Sequence, residues 1–230
     1  LAAEAIPALG PEARTASVSD LLALAVRTNP ADPRRLTARS ASIALFANYP
    51  GKRGPRSILA DSLEGVDRAQ LYPAIRALLQ HEDSVPRAAV SKAYERLTDA
   101  DLVALLPDIA KAVAPLAPSN EMFADGVRLN GLKVLASHHL EEGMQACADY
   151  LRTQNPWASE HRTPEILEIL SPYGAQAQRI VPHLRETAAL FDKGEKDFPK
   201  HLSARKAKAV REAIEKTEAA QGRPELKRLK

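Results

Sequence analysis

Pairs of Ala- and Leu-rich segments recur along this chain of 230 residues, and this recurrence limits its possible folds more than any other feature. Each segment is about a dozen residues long, and the pairs recur about every 34 to 38 residues. Such a period is typical of stacked helical units, in which one helix pair buries its apolar face only against the next pair. The sequence therefore predicts an α-solenoid.

The composition favours helices over sheets. The chain contains 41 alanines, whereas aromatic residues make up 4% of it and glycine occurs 10 times. Alanine has the highest helix propensity, and leucine follows it closely. No stretch alternates β-branched or aromatic residues between turn dipeptides, which is the pattern of strands and hairpins. The predicted fold class is all-α, with a thin core of Ala, Leu, Ile and Val.

Polar breaks between the apolar segments predict three parts of the chain. An N-terminal helical lead-in with a basic loop covers 1–56, a repeat region covers 57–192, and a basic capping helix with a tail covers 193–230. The lead-in contains short helices at 21–26 and 36–48. The segments 114–121 and 155–162 are expected to be loops between pairs, and the residues after the long charged helix 202–220 are expected to trail off. Four helix pairs are predicted: 57–65 with 67–80, 85–97 with 101–114, 125–138 with 140–153, and 163–173 with 177–191.

A proline recurs near the start of the second helix in three of these pairs. Pro73, Pro107 and Pro182 each follow two apolar residues, and Gln145 stands at that place in the third pair. A proline in the first turn of a helix costs no hydrogen bond, whereas a proline deeper in the helix bends it. The spacing therefore predicts that these prolines lie close to the helix starts.

Two stretches resemble the opening of a HEAT repeat. Residues 81–89 read His-Glu-Asp-Ser-Val-Pro-Arg-Ala-Ala, and residues 125–128 read Asp-Gly-Val-Arg. An acidic turn followed by Val-x-Arg or Val-Arg, small residues, and a second helix opening with Leu-Pro or Val-Pro is similar to the HEAT pattern. The resemblance covers about 57–192 and implies a helical solenoid, a fold that serves scaffolds, enzymes and nucleic-acid binders alike. The order of segments is also similar to helical C-terminal regions of large uncharacterised bacterial proteins.

Basic residues are unevenly distributed along the chain. The net charge is +3, yet 193–230 contains 12 basic and 6 acidic residues, so the rest of the chain is slightly acidic. No acidic residue lies between Asp32 and Asp61, where six basic residues occur. If the two regions shared a face, they could bind phosphate backbones or an acidic partner. The candidate interaction residues are Arg34, Arg35, Arg39, Lys52, Arg53, Arg56, Lys206 and Arg211, together with the single tryptophan, Trp157.

Few residues suggest catalysis or metal binding. Zinc needs three or four converging ligands, and the adjacent His138 and His139 would point about 100° apart on a helix. Cys147, the only cysteine, occupies an apolar position and is expected to be buried. The segment 51–54, Gly-Lys-Arg-Gly, lacks the full phosphate-loop pattern and a preceding strand. We expect no catalytic residue, no metal and no cofactor.

The function predicted from these features is a non-catalytic scaffold that binds another protein or another region of its own parent chain. The alternative is a nucleic-acid binder that uses the basic N-terminal stretch and the tail. A third possibility, an enzyme, would need a pocket, for which His138, His139 and Glu142 are the candidates. No run of about 18 apolar residues occurs, so no membrane span is predicted. The chain begins with Leu1 rather than Met, so we expect it to be a piece of a larger protein.

Overall fold

The computed structural model describes residues 11–26, 35–47, 57–114 and 124–229. Within these ranges the regular structure is helical, apart from one isolated parallel bridge between Leu140 and Lys227. The predicted all-α class is therefore confirmed for the described residues. The α-helices are α1 (Pro11–Ala16), α2 (Val18–Ala25), α3 (Arg35–Phe46), α4 (Arg68–Leu79), α5 (Ser84–Ser91), α6 (Asp99–Val113), α7 (Ala124–Ser137), α8 (Glu141–Thr153), α9 (Pro156–Ile169), α10 (Val181–Lys193) and α11 (Lys200–Ala219).

Side-chain caps explain why several helices begin where they do. The Asp67 carboxylate accepts a hydrogen bond from the backbone N–H of Ala69 (2.9 Å) at the start of α4. Asp83 caps α5 in the same way through the N–H of Val85 (2.9 Å). Such caps satisfy backbone donors that have no partner inside the helix. The predicted helices 67–80, 101–114, 125–138 and 140–153 agree with α4, α6, α7 and α8 to within a few residues.

The segment 57–65 was predicted to be a helix, and this prediction is wrong. It forms turns, and Gly65 adopts a φ of +73°. The backbone N–H groups of Ile58 and Leu59 donate to the carbonyls of Ala44 (2.8 Å) and Leu45 (3.0 Å). These carbonyls lie in the last turn of α3, where a helix leaves its acceptors unpaired. The segment therefore closes the end of α3 instead of starting a new helix.

The predicted loop 155–162 is also wrong, because α9 begins there. The Asn155 carboxamide accepts a hydrogen bond from the N–H of Trp157 (3.0 Å), and Pro156 is the first helical residue. Asparagine at the N-cap with proline next to it is a favourable helix start. The segment 163–173 is consequently the second half of α9 followed by part of a 3-10 segment, Ser171–Ile180, that leads into α10.

The predicted helix 85–97 is also divided in the structure, into α5 and a short 3-10 turn, Tyr94–Arg96.

Two of the three recurring prolines lie deeper in their helices than predicted. Pro73 is inside α4 and Pro107 is inside α6, whereas Pro182 is in the first turn of α10. An interior proline cannot donate to the carbonyl four residues earlier. Both helices continue past their prolines, so packing against neighbouring helices outweighs that loss.

The chain forms two compact units. Unit 1 takes its described residues from Leu1–Ala112 and Glu121–Asn130, and unit 2 from Val113–Asn120 and Gly131–Lys230. The long helix α11 packs against α9 and α10, so the basic segment 193–230 is part of unit 2. The core of unit 1 includes Leu21, Leu22, Leu45, Phe46, Leu71, Ile75 and Leu78. The core of unit 2 includes Leu132, Leu135, Cys147, Leu151, Ile166, Tyr173, Leu184 and Val210.

Five side-chain ion pairs, two in unit 1 and three in unit 2, join residues that are close to one repeat length apart in sequence. Each basic residue precedes its acidic partner by 32 to 34 positions. In every case the two partners belong to different elements of the same unit. The pairs are Arg68 with Asp101 and Arg76 with Asp108 in unit 1, and Lys133 with Glu165, Arg152 with Glu186 and Arg185 with Glu218 in unit 2.

Candidate interaction surface

Most of the predicted basic N-terminal stretch lies outside the described residues. This applies to Arg34, Lys52, Arg53 and Arg56, and the side chain of Arg35 is not described either. Arg39 is described, and its guanidinium donates to the Asp83 carboxylate (2.7 Å). That carboxylate also caps α5, so Arg39 ties α3 to the start of α5.

Five of the basic residues in 193–230 are paired with acidic residues of unit 2. Arg211 bonds to Asp192 at 2.6 Å, and Lys208 lies 3.8 Å from Glu212. These pairs reduce the positive charge that the segment presents to solvent. Two further pairs join Arg205 to Glu160 and Arg228 to Glu141.

Lys206 was predicted to lie on an interaction surface, and the structure corrects this prediction because the residue is only 2% exposed. Its ammonium donates to the Ser159 hydroxyl (2.6 Å) and pairs with the Glu195 carboxylate. The ammonium also lies 4.1 Å from the ring centroid of Phe191 and 5.1 Å from that of Phe198. Burial lowers the pKa of Lys206, while the Glu195 carboxylate opposes that shift. Lys206 therefore attaches α11 to α9 and to the turn before α11.

Trp157 lies beside this buried lysine and is exposed. The residue is 62% exposed, and its ring is roughly perpendicular to that of Phe198, with centroids 5.2 Å apart. The Asn155 cap and Pro156 fix its backbone in the first turn of α9. Phe198 also lies over the Lys206 ammonium, so the indole is exposed to solvent and is in contact with the ring that covers the buried lysine.

A groove runs between α9 and α11 on the same side of unit 2. One cavity of about 280 Å³ is lined by residues that include Glu160, His161 and Arg205. A second cavity of about 310 Å³ is lined by residues that include Leu167 and Ala213. Pro164 and Ala209 line both cavities, so the two form one continuous depression. Concave, mainly apolar surfaces of this size are where proteins bind ligands and partner side chains.

The residues considered for chemistry are engaged in the fold. Cys147 is fully buried, as predicted, and burial raises the pKa of its thiol. His138 is buried, and the ring of His139 meets the edge of Tyr173 at 6.5 Å. Glu142 accepts a hydrogen bond from the backbone N–H of Leu229 (3.0 Å). Among the described residues, no three His, Cys, Asp or Glu side chains come close enough together to hold a metal ion.

The C-terminal tail, expected to trail off, instead returns to the start of α8. The N–H of Lys227 donates to the carbonyl of His139 (3.0 Å), and the N–H of Glu141 donates to the carbonyl of Lys227 (2.9 Å). Farther back, the N–H of Ala175 donates to the carbonyl of Gly222 (2.7 Å). Sequence reasoning missed this contact because it rests on backbone groups, which leave no periodic pattern. The only feature of the sequence that could have indicated this close backbone contact was the pair of glycines, Gly174 and Gly222.

No family model, curated protein or solved structure matches the chain. The class that the fold defines is an all-helical protein over the residues described. None of the described helices has the length and apolar character needed to cross a membrane.

Proposed function

We propose that this chain is a non-catalytic scaffold, an α-solenoid of HEAT-like helix pairs that binds another protein or another region of its parent chain. The repeat-spaced ion pairs support the stacking of successive units. In a solenoid each repeat contacts only its neighbours, so contacts should join residues about one period apart. Pairs such as Arg76 with Asp108 and Arg152 with Glu186 have this separation.

The single observation that carries the functional proposal is the exposed Trp157. Most large apolar side chains of the described residues are buried, and Trp157 is the most exposed of the exceptions. Tryptophan is enriched among the residues that contribute most to protein–protein affinity, because it buries a large area at a small cost in side-chain entropy. Here Phe198 packs against the ring, and Glu160 and His161, about one helical turn after Trp157 in α9, line the groove between α9 and α11.

Nucleic-acid binding is less well supported by the described residues. Affinity for a phosphate backbone grows with the number of free lysines and arginines that reach it. Arg205, Arg211 and Arg228 are instead paired with carboxylates of unit 2, and Lys206 is buried.

A displayed library of amphipathic helical peptides tests the proposal. Peptides are selected for binding to the full chain, and their affinities for the Trp157→Ala and Leu190→Ala variants are then measured. Leu190 is a suitable control because it is also an exposed apolar residue of unit 2, at 42% accessibility. The selected peptides should bind the Trp157→Ala variant at least about tenfold more weakly than the wild type, since truncating a central aromatic residue costs more than about 1 kcal/mol. They should bind the Leu190→Ala variant with the wild-type affinity.

Peptides that bind both variants as tightly as the wild type would contradict the role of Trp157. In parallel, a short DNA duplex and a single-stranded RNA are titrated at about 20 mM salt, where phosphate contacts are strongest. We expect no retardation of either probe. Tight binding that weakens steeply with added salt would replace the scaffold with the nucleic-acid alternative.

A further inference from the structure

The tail residues 222–229 are held by backbone groups and charge rather than by buried side chains. None of these residues is buried. The contacts are the three backbone hydrogen bonds at Ala175, Glu141 and Lys227, the ion pair between Arg228 and Glu141, and two further side-chain bonds. The side-chain bonds run from the Gln176 carboxamide to the carbonyl of Pro224 (3.0 Å) and from the N–H of Leu229 to Glu142. Release of the segment therefore takes none of its own side chains out of a core.

The surface beneath the tail is built independently of it. The Tyr173 hydroxyl donates to the carbonyl of Leu140 (2.9 Å), which holds the turn between α7 and α8. His139 in that turn has a φ of +54°, so its carbonyl is presented outward to the tail. These constraints come from α7, α8 and the 3-10 segment rather than from the tail.

Gly174 provides the space in which the tail backbone sits. It adopts a φ of +52°, and a Cβ at this position would collide with the carbonyl oxygen of Gly222. A glycine is required where one backbone approaches another this closely. The site therefore accepts the backbone of an extended chain only because residue 174 is itself a glycine.

Charge defines the other end of the site. Glu141 and Glu142 lie in the first turn of α8, and Glu141 pairs with both Arg228 and Arg179. The Arg228 hydrogen bond lowers the pKa of Glu141. One carboxylate oxygen of Glu142 is buried without a hydrogen-bond partner among the described atoms. The site is thus acidic and complements a basic peptide.

We propose that residues 139–142 and 174–176 form a peptide-binding site that the chain's own tail occupies, and that its ligand in trans is an extended segment of a partner protein with the same chemistry. That segment passes over Gly174 in an extended conformation and has an arginine for Glu141 six residues after the one whose carbonyl bonds to Ala175. It adds its backbone beside residues 139–141 as the tail does, in the manner of strand addition. The proposal does not rest on Trp157, so either can fail without the other.

The experiment uses the full chain and a fluorescent peptide of residues 220–230. Arg228→Glu reverses the charge that meets Glu141, and it should loosen the tail. The amides of Glu141 and Ala175 are then expected to exchange with solvent at least about tenfold faster. The peptide should bind this variant at least about tenfold more tightly than it binds the wild type, because the site is no longer occupied in cis.

Arg223→Glu is the matched control, since Arg223 is an exposed residue of the same tail. It should leave both amide exchange and peptide binding at wild-type values. A peptide carrying the Arg228→Glu change should not bind the wild type or the variant, and Glu141→Arg in the chain should restore its binding.

Equal affinity of the peptide for the wild type and the Arg228→Glu variant would overturn the proposal. Unchanged exchange of the Glu141 and Ala175 amides in that variant would overturn it too, because charge would then not hold the tail. A wild-type chain that proves dimeric by light scattering and becomes monomeric on Arg228→Glu would assign the site to tails exchanged between copies instead. The combination of Gly174→Ala with Arg228→Glu, checked for helicity by circular dichroism, should lose peptide binding.

Discussion

Replacing Asp101 with alanine perturbs the most heavily bonded carboxylate in unit 1. The Asp101 side chain is 5% exposed, and its oxygens accept hydrogen bonds from the Arg68 guanidinium at 3.0 and 2.9 Å. They also accept from the Tyr72 hydroxyl (2.6 Å) and from the N–H of Thr98 (3.0 Å). In return, the Thr98 hydroxyl accepts from the N–H of Asp101 (3.2 Å). The two residues form a reciprocal cap at the start of α6.

The magnitude follows from these contacts. Removing one partner of a buried ion pair costs about 3–5 kcal/mol. The Arg68 side chain is 33% exposed, so we take the lower end of that range, about 3 kcal/mol, for the loss of the ion pair. The variant keeps the Thr98 hydroxyl cap but loses the bond from the Thr98 N–H to the carboxylate, which adds about 1 kcal/mol. We expect Asp101→Ala to lower the free energy of unfolding by about 4 kcal/mol. Asp101→Asn keeps an oxygen acceptor but loses the charge, so it should cost about 2 kcal/mol.

Urea denaturation followed by circular dichroism measures this loss, and Asp108→Ala is the matched control. Asp108 lies on the same helix and pairs with Arg76 at 3.0 Å, but the two side chains are 26% and 45% exposed. An exposed pair contributes about 1 kcal/mol or less. If both variants lose the same small amount, the reasoning about burial is refuted.

The pH dependence of the loss has a defined sign. The Arg68 hydrogen bonds lower the pKa of Asp101 in the folded chain, whereas an unfolded aspartate titrates near pH 3.9. A lowered folded-state pKa stabilises the fold above the unfolded pKa, and that stability disappears as the pH falls through the folded value. The difference between wild type and Asp101→Ala should be constant from about pH 5 to 7 and shrink below about pH 4. A difference that grows on acidification would contradict the assignment.

Two further predictions concern unit 2. Lys206→Ala leaves the Glu195 carboxylate, whose side chain is 18% exposed, without its ammonium, and should cost about 3 kcal/mol in urea denaturation followed by Trp157 fluorescence. Lys206→Met combined with Glu195→Gln should cost less than about 1 kcal/mol, since an apolar replacement removes both charges, and equal losses would argue against a buried pair. Cys147, buried and with a raised thiol pKa, should react with a thiol reagent at least about a hundredfold more slowly in the native chain than in urea. Rapid native modification would show that the thiol is accessible.

The sequence was most informative where apolar spacing decides the structure. Helices α7 and α8 follow the predicted segments closely, because Leu132, Leu135 and Leu151 recur at helical spacing and are buried. The start of α9 could not be read in the same way. Asn155 and Pro156 form a dipeptide that ends helices in some contexts and begins them in others. Which role they take depends on the tertiary contacts of the following residues.

The candidate surface was only partly predictable. Lys206 belongs to a run of basic residues, so composition suggested a solvated position. Its place in the period of α11, with Ser203, Val210 and Ile214 on the same buried side, was the signal that it faces inward. Trp157 was among the predicted interaction residues, but its ring contact is with Phe198, which lies 41 positions later in the sequence. Pairings over such separations have no local pattern.

The return of the tail to α8 has a practical consequence for handling the protein. Leu229 is bonded to Glu142, so an affinity tag or fusion attached directly after it would emerge beside the first turn of α8. Protein immobilised through such a tag would present the opposite side of unit 2 to the solution, and binding measurements would report mainly on that side.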